Sequence, residues 1–197
     1  MTGPGGADPE TKQNYITVNP AVYTDDFNRD DEFPLGGNWT TPPGCDNLVL
    51  LSFEIVPEVD DTISCAYWNA NPFNDDQYSE VRIASFGPFM GPAVRIQTGG
   101  TLRNGYFVVI DNTTQIRILN NVDNNASLIP PAYTGLALQV DDTIRLSVVG
   151  DTLELFVEGV SQGTRTDTLN SHPSGVPGIY TLLIDSILDD WEGGNLE

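Results

Sequence analysis

The sequence predicts an all-β protein, an antiparallel two-sheet sandwich. Three observations carry that expectation. Apolar and polar residues alternate over short runs such as Thr62 to Trp68 and Tyr78 to Ser85, the period of a strand with one buried face. Clusters of Asn, Asp, Gly and Pro separate these runs at regular intervals, and those residues make turns through side-chain bonds and unusual φ angles. No convincing helix emerges along the chain.

Taken in order, Tyr23 to Phe27 alternates and reads as the first strand. Trp39-Thr40 follows a loop that holds Pro34 and Gly36-Gly37. Leu48 to Val56 is apolar enough to be one long strand. Glu58 to Thr62 is the turn into Thr62 to Trp68, and Pro92 to Thr98 comes after the Gly87 to Gly91 loop. Asn104-Gly105 suits a tight turn with positive φ. Tyr106 to Asp111 and Gln115 to Asn120 form a hairpin across Asn112 to Thr114, and Asn121 to Tyr133 reads as a loop. Thr143 to Val149, Thr152 to Glu158 and Ser161 to Thr168 form a meander. Ile179 to Ile184 and Ile187 to Trp191 close the chain, which makes about twelve strands, the pattern of a sandwich.

A chain of 197 residues suits a single sandwich domain. Residues 1–22, rich in Gly, Pro, Thr and Asn, read as an arm; residues 23–197 form the domain. Tyr15, Ile16, Val18, Val22 and Tyr23 equip the arm to dock on a partner. The net charge is -20, with only eight Lys plus Arg. Such a surface repels phosphate backbones and anionic lipid heads, so neither nucleic acid nor membrane is an expected partner. The longest apolar stretch, Leu48 to Val56, is far short of the roughly 20 residues of a spanning helix. Met1 to Glu10 lacks the charged and apolar regions of a secretory leader, so the chain reads as made in the cytosol. Cys45 and Cys65 are therefore read as two buried free thiols, with a disulfide between them as the alternative, since both lie in or near predicted strands. The single histidine, His172, sits in a turn-rich loop and reads as solvated; with no C-x-x-C, a zinc site is not expected.

The stretch Tyr67 to Ser85 is the most informative. An aromatic pair, Tyr67-Trp68, and a polar strand face of Tyr78, Glu80 and Arg82 flank the ornate loop Asn69 to Gln77. Tyr67, Trp68, Asn69, Tyr78, Glu80 and Arg82 are the candidate carbohydrate-binding set. Aromatic faces stack on sugar rings, and amides, carboxylates and guanidinium match hydroxyls. The alternative is that Trp68 belongs to the core and that Glu80 and Arg82 make cross-strand ion pairs on a solvated face.

The motifs D-D-F-N-R (25–29), Y-W-N-A (67–70), Q-Y-S-E-V (77–81), N-G-Y (104–106), D-D-T-I-R-L-S-V-V-G-D-T-L (141–153) and L-D-D-W-E-G-G (188–194) occur in this order. Together they resemble the concanavalin A-like, laminin-G-like jelly-roll domains of bacterial extracellular proteins and phage virion proteins. The resemblance implies that the first and last strands are adjacent, with Phe27 and Trp191 as core neighbours. It also implies glycan binding on the concave sheet or at rim loops. Calcium is the one cofactor it implies, at Asp190 with Asp26 beside it, or else among Asn74, Asp75 and Asp76; acidic strand ends without an ion are the alternative. Catalysis is not expected. No E-x-D-x-E strand occurs, and Y-S-E-V-R (78–82), although similar to a strand of alginate lyases of this fold, lacks their Q-I-H and Y-x-K companions. The leading expectation is a non-enzymatic phage virion surface protein, a capsid decoration or fibre component, joined to itself or other virion proteins through its arm. A carbohydrate-binding module of a secreted bacterial protein is the alternative; a polysaccharide lyase or hydrolase is the third reading.

Overall fold

The computed structural model describes residues 21–196. Residues 1–20, nearly the whole of the expected docking arm, lie outside the described residues. Sixteen strands, and no helix among the described residues, build two antiparallel sheets. The first sheet runs in the order β14 (Val160–Thr166), β13 (Thr152–Val157), β12 (Thr143–Val149), β6 (Gln77–Ser85), β16 (Ile187–Asn195), β4 (Glu54–Pro57), β3 (Leu48–Leu51), and β1 (Val22–Asp25) also pairs with β16. The second runs β10 (Asn125–Leu128), β9 (Gln115–Val122), β8 (Gly105–Asn112), β7 (Met90–Ile96), β15 (Val176–Thr181), β5 (Ser64–Trp68), β2 (Trp39–Thr40), with β11 (Tyr133–Thr134) on β9. This is the expected two-sheet jelly roll.

Alternation along each strand decides what the sheets enclose. Val81 and Ile83 of β6, Ile144, Leu146 and Val148 of β12, and Leu153 and Leu155 of β13 point inward. They meet Val108 and Ile110 of β8, Ile116 and Ile118 of β9, and Ile179 of β15. Near one end the core is aromatic. Trp39 lies 4.8 Å from Trp191 and 5.9 Å from Phe27 between ring centroids, so Phe27 and Trp191 share one cluster with Trp39 between them. First and last strands are adjacent, with Asp25 opposite Trp191 in the β1–β16 register. The outer face of the second sheet carries a smaller apolar cluster of Cys65, Ala93, Phe107, Val109 and Tyr180.

Three local expectations are corrected. Leu48 to Val56 is a hairpin, β3–β4, turning at Ser52-Phe53 with φ of 54° and 71°. Two positive φ angles define the tight turn that suits strand twist, but no Gly or Asn marks it here, and the apolar run masks it. Asn104-Gly105 is not such a turn. Gly105 opens β8 at φ 144°, where a Cβ would come within 3.1 Å of the Ile96 Cα, so the glycine serves a close backbone approach. Part of the expected loop 121–133 is a hairpin, β9–β10, turning at Asp123-Asn124 with φ of 52° and 67°.

Candidate functional site

The outer face of the first sheet is a lattice of ion pairs. Strand alternation sends Ser79, Val81 and Ile83 inward, and Tyr78, Glu80 and Arg82 outward. Arg145 stands opposite Glu80 in the β12–β6 register. Its Nε donates to Glu80 at 2.9 Å, a terminal nitrogen donates to Glu192 at 3.2 Å, and its guanidinium lies 4.3 Å over the Tyr78 ring. Tyr78 donates its hydroxyl to Glu192 at 2.7 Å. Burial first, and then the bond to Glu192, push that phenol well above its ordinary value. Arg82 donates to Asp190 at 2.7 Å, to Asp141 at 2.8 Å and to Asp189. Its bond to Asp190 is the main cause of its raised pKa, whereas burial raises that of Asp189.

This geometry separates the predicted sugar-binding residues. Tyr67, Trp68 and Asn69 belong to the second sheet and its exit, while Tyr78, Glu80 and Arg82 belong to the first. Trp68 is 5% exposed, stacked 4.9 Å from Trp191 and edge-on to Trp39 at 5.4 Å. Tyr78 is also 5% exposed. Neither offers the free ring face that stacking on sugar requires, which corrects the expectation of an aromatic platform. Tyr67 packs half-buried against the outer cluster of the second sheet. Asn69 is exposed and donates to Thr40 at 2.5 Å. Glu80 and Arg82 remain partly accessible.

The predicted metal residues do meet. Asp26 and Asp190 line one cleft of about 220 Å³ with Glu80 and Glu192. Calcium wants six to eight oxygens, and these residues do not supply them as arranged. Asp190 is held by Arg82. Asp26 is turned to the Asn28 backbone N–H, whose bond is the main cause of its lowered pKa. No group of three His, Cys, Asp or Glu among the described residues is set to hold a metal.

A different place is built as a pocket. At the rim where β6 begins, Asn74, Asp75 and Asp76 of the ornate loop face Asn170 and Pro173, with Leu196 and Gly150 alongside, around a cavity of about 470 Å³. Its floor is Arg95, 1% exposed, on β7. The guanidinium donates to the carbonyls of Asp75 at 2.8 Å, Gly150 at 2.7 Å and His172 at 2.9 Å, so one fork gathers three separate loops. Gln77 reinforces it, donating to the carbonyls of Asn74 and Gly175 at 2.8 and 2.9 Å. Asp76 accepts from the Gly150 N–H at 2.8 Å, and its own carbonyl accepts from Leu196 at 2.9 Å.

Behind the pocket wall, His172 is 3% exposed and not solvated, a correction to the sequence reading. Its Nε2 lies 2.8 Å from Asn120 Oδ1 and 3.2 Å from the Gly105 nitrogen, and its ring meets Tyr106 edge-on at 4.9 Å. Tyr106 donates to Asp167 at 2.8 Å, and Asp167 also accepts from the Ser171 N–H at 3.0 Å. Burial depresses the His172 pKa. The donors around Asp167 outweigh its burial and hold its carboxyl below the usual range. An arginine inside the apolar run Pro92 to Ile96 was the sequence signal for this assembly; His172 among Asn, Ser and Pro gave none.

The cysteines are also corrected. Cys45 and Cys65 form a disulfide, with Cα atoms 5.6 Å apart. Asp46 runs beside Ser64 in a parallel bridge, accepting from Cys65 N at 3.2 Å, and so lays the Cys45 loop against β5.

No family model matches the chain, and no curated protein sequence does. Solved structures do. The carbohydrate-binding module CBM66 from Bacillus subtilis superposes with a TM-score of 0.57 at 18% identity, over 78% of this chain and 91% of the module. Bacillus licheniformis β-glucanase gives 0.55 at 12%, over 89% and 98%. The exoplasmic/lumenal domain of VIP36, in a Ca2+/Man-bound form, gives 0.56 at 11%, over 82% and 84%. Similarity at these identities establishes the fold: a lectin-type, concanavalin A-like jelly roll, shared by binding modules and enzymes alike.

Proposed function

We propose that this protein is a non-enzymatic carbohydrate-binding module that works outside the reducing cytosol and holds its glycan in the rim pocket. The observation that carries the reading is the pocket itself. Its size is that of a small-ligand site. Arg95 spends its donors on the loop carbonyls, which leaves the Asn74, Asp75 and Asn170 side chains to line the opening. Amides and carboxylates match sugar hydroxyls, and Pro173 and Leu196 suit the apolar C–H faces of a ring. The likeness to a carbohydrate-binding module and to the Ca2+/Man-bound domain of VIP36 supports the ligand class. The disulfide supports an oxidising compartment.

The virion reading rests on the arm and on a chain read as made in the cytosol yet bearing a usually extracellular fold. Residues 1–20 of the arm lie outside the described residues, and the disulfide between Cys45 and Cys65 suits an oxidising compartment, so the secreted-module reading has the better support. Glycan microarrays with the full chain test it. Wild type binds a defined set of glycans, and Asn170→Ala weakens binding about tenfold, the loss of one or two hydrogen bonds. An array without hits ends the proposal, and release of reducing ends or unsaturated products from bound glycans ends the non-enzymatic part.

A second reading places the glycan in the cleft at Glu80, Asp190 and Glu192 on the first sheet. It is favoured by that cleft and by carboxylate oxygens with lone pairs left over from Arg82 and Arg145.

A further inference from the structure

We infer that the ligand of the rim pocket is a neutral glycan, and that the site rejects uronic acid-containing and sulfated chains; this rests on the carbohydrate-binding reading above. Recognition of an anionic sugar calls for an arginine or lysine with donors to spare. The single lysine, Lys12, lies outside the described residues; all seven arginines lie among them, and each is already engaged. Arg29 holds Asp25 and Glu32, Arg82 three aspartates, Arg117 Asp111, and Arg145 Glu80 and Glu192. Arg103 is bonded to Gly44 and Asn121, and Arg165 to the Pro131 carbonyl while lying 3.8 Å over the Tyr133 ring. Arg95, the cation at the pocket, directs Nε and one terminal nitrogen to loop carbonyls, and the other lies 3.5 Å from Asp76.

What the pocket presents to a ligand is therefore acceptor-rich and negative. Asp75 and Asp76 stand in its wall. A hydroxyl can donate to a carboxylate; an ionised carboxylate or sulfate can only accept, so it finds the neutral amides of Asn74 and Asn170 but no uncommitted cationic donor, and it meets two like charges. The net charge of -20 adds repulsion at longer range, which salt screens. Neutral sugars carry only hydroxyls, amides and C–H faces and avoid both penalties.

The test is affinity electrophoresis and calorimetry of the full chain against backbone-matched pairs: β-1,4-mannan with polymannuronate, and dextran with dextran sulfate, each with calcium and with chelator. The expected result is binding of a neutral member with its charged counterpart at least about tenfold weaker at low salt, the gap narrowing in 0.5 M NaCl as the screening length falls to about 4 Å. Asp75→Asn, which removes one wall charge while keeping the backbone carbonyl that Arg95 uses, narrows the gap at low salt. Equal or tighter binding of a charged member, with or without calcium, overturns the neutral-ligand inference and leaves the carbohydrate-binding reading standing. A gap that Asp75→Asn leaves untouched removes the assignment of selectivity to this pocket. Binding of none of these or of any arrayed glycan overturns both readings.

Discussion

A terminal nitrogen of Arg95 donates to the carbonyl of His172 at 2.9 Å, across 77 residues of sequence. With the bonds to Asp75 and Gly150, this makes the floor of the pocket and the clasp of its walls one group. Removing the guanidinium strands the buried carbonyl of His172, at about 1–3 kcal/mol, and frees the part-buried carbonyls of Asp75 and Gly150, which untethers two loops. Arg95→Met is therefore expected to lose about 3 kcal/mol or more of stability, together with glycan binding. Arg95→Lys rescues little, because one ammonium cannot reach three divergent acceptors as a planar fork does. Urea unfolding monitored by tryptophan fluorescence checks both.

The His172 environment sets a pH dependence. Burial lowers its pKa in the folded protein below the ordinary 6.5, so the unfolded chain binds the proton more readily. Its contribution is fully present above pH 6.5 and declines as pH falls through that value toward the folded pKa. Arg95 on β7 adds like-charge repulsion to the imidazolium, while Asp167 on its own loop favours it. Tyr106 on β8 and Asn120 on β9 complete the surroundings. Below pH 4 the lowered carboxyls of Asp167, Glu32 and Asp26 act in the same direction, and the raised Asp189 opposes them. Thermal melts from pH 7.5 to 4.5 are expected to show a falling Tm that begins near 6.5. His172→Gln lowers Tm at pH 7.5 and flattens the slope between 6.5 and 5.

What the sequence revealed follows physical range. Alternation in Tyr78 to Ser85 and Thr143 to Val149 is local, and it located those strands and their outward residues correctly. The Asn69 to Gln77 loop stood out by composition, and it supplies one wall of the pocket. Partners were not legible. Glu80 bonds Arg145 across strands 65 residues apart, and nothing nearby in sequence announces that choice. Trp68 carried the same residue type whether core or platform. Its burial depended on Trp39 and Trp191, brought in from both ends of the chain.

Those two tryptophans predict how Trp68 behaves. Trp68→Ala empties the centre of the aromatic cluster and is expected to cost about 3–5 kcal/mol, read as a fall in denaturation midpoint. Trp68→Phe costs less because it keeps a ring between Tyr23 and Trp191. Any glycan affinity of the folded Phe variant equals that of wild type, since Trp68 does not line the rim pocket.

The disulfide clamps a sequence separation of 20 residues. On loop-closure arithmetic this is worth about 3 kcal/mol. The double variant Cys45→Ser, Cys65→Ser, or wild type in reductant, is expected to unfold at a lower midpoint by that amount. Mass spectrometry of the alkylated native protein checks the pairing: no thiol is labelled before reduction, and two are labelled after.

The two candidate surfaces separate cleanly by mutation. The rim pocket and the first-sheet cleft share no lining residue. Glu80→Gln weakens the bond from Arg145, and Arg82→Gln releases Asp189 and Asp190. Both changes disturb an exposed lattice, where each pair is worth about 1 kcal/mol or less. With the glycan at the rim, both variants bind as wild type does, and Asn170→Ala loses about tenfold. With the glycan on the sheet, the order reverses, and Glu80→Gln suffers most because Glu80 itself lines the cleft, whereas Arg82 acts through Asp190. Calorimetric titration of the three variants with one array hit decides between them. Melting curves recorded alongside confirm that each variant remains folded at the titration temperature.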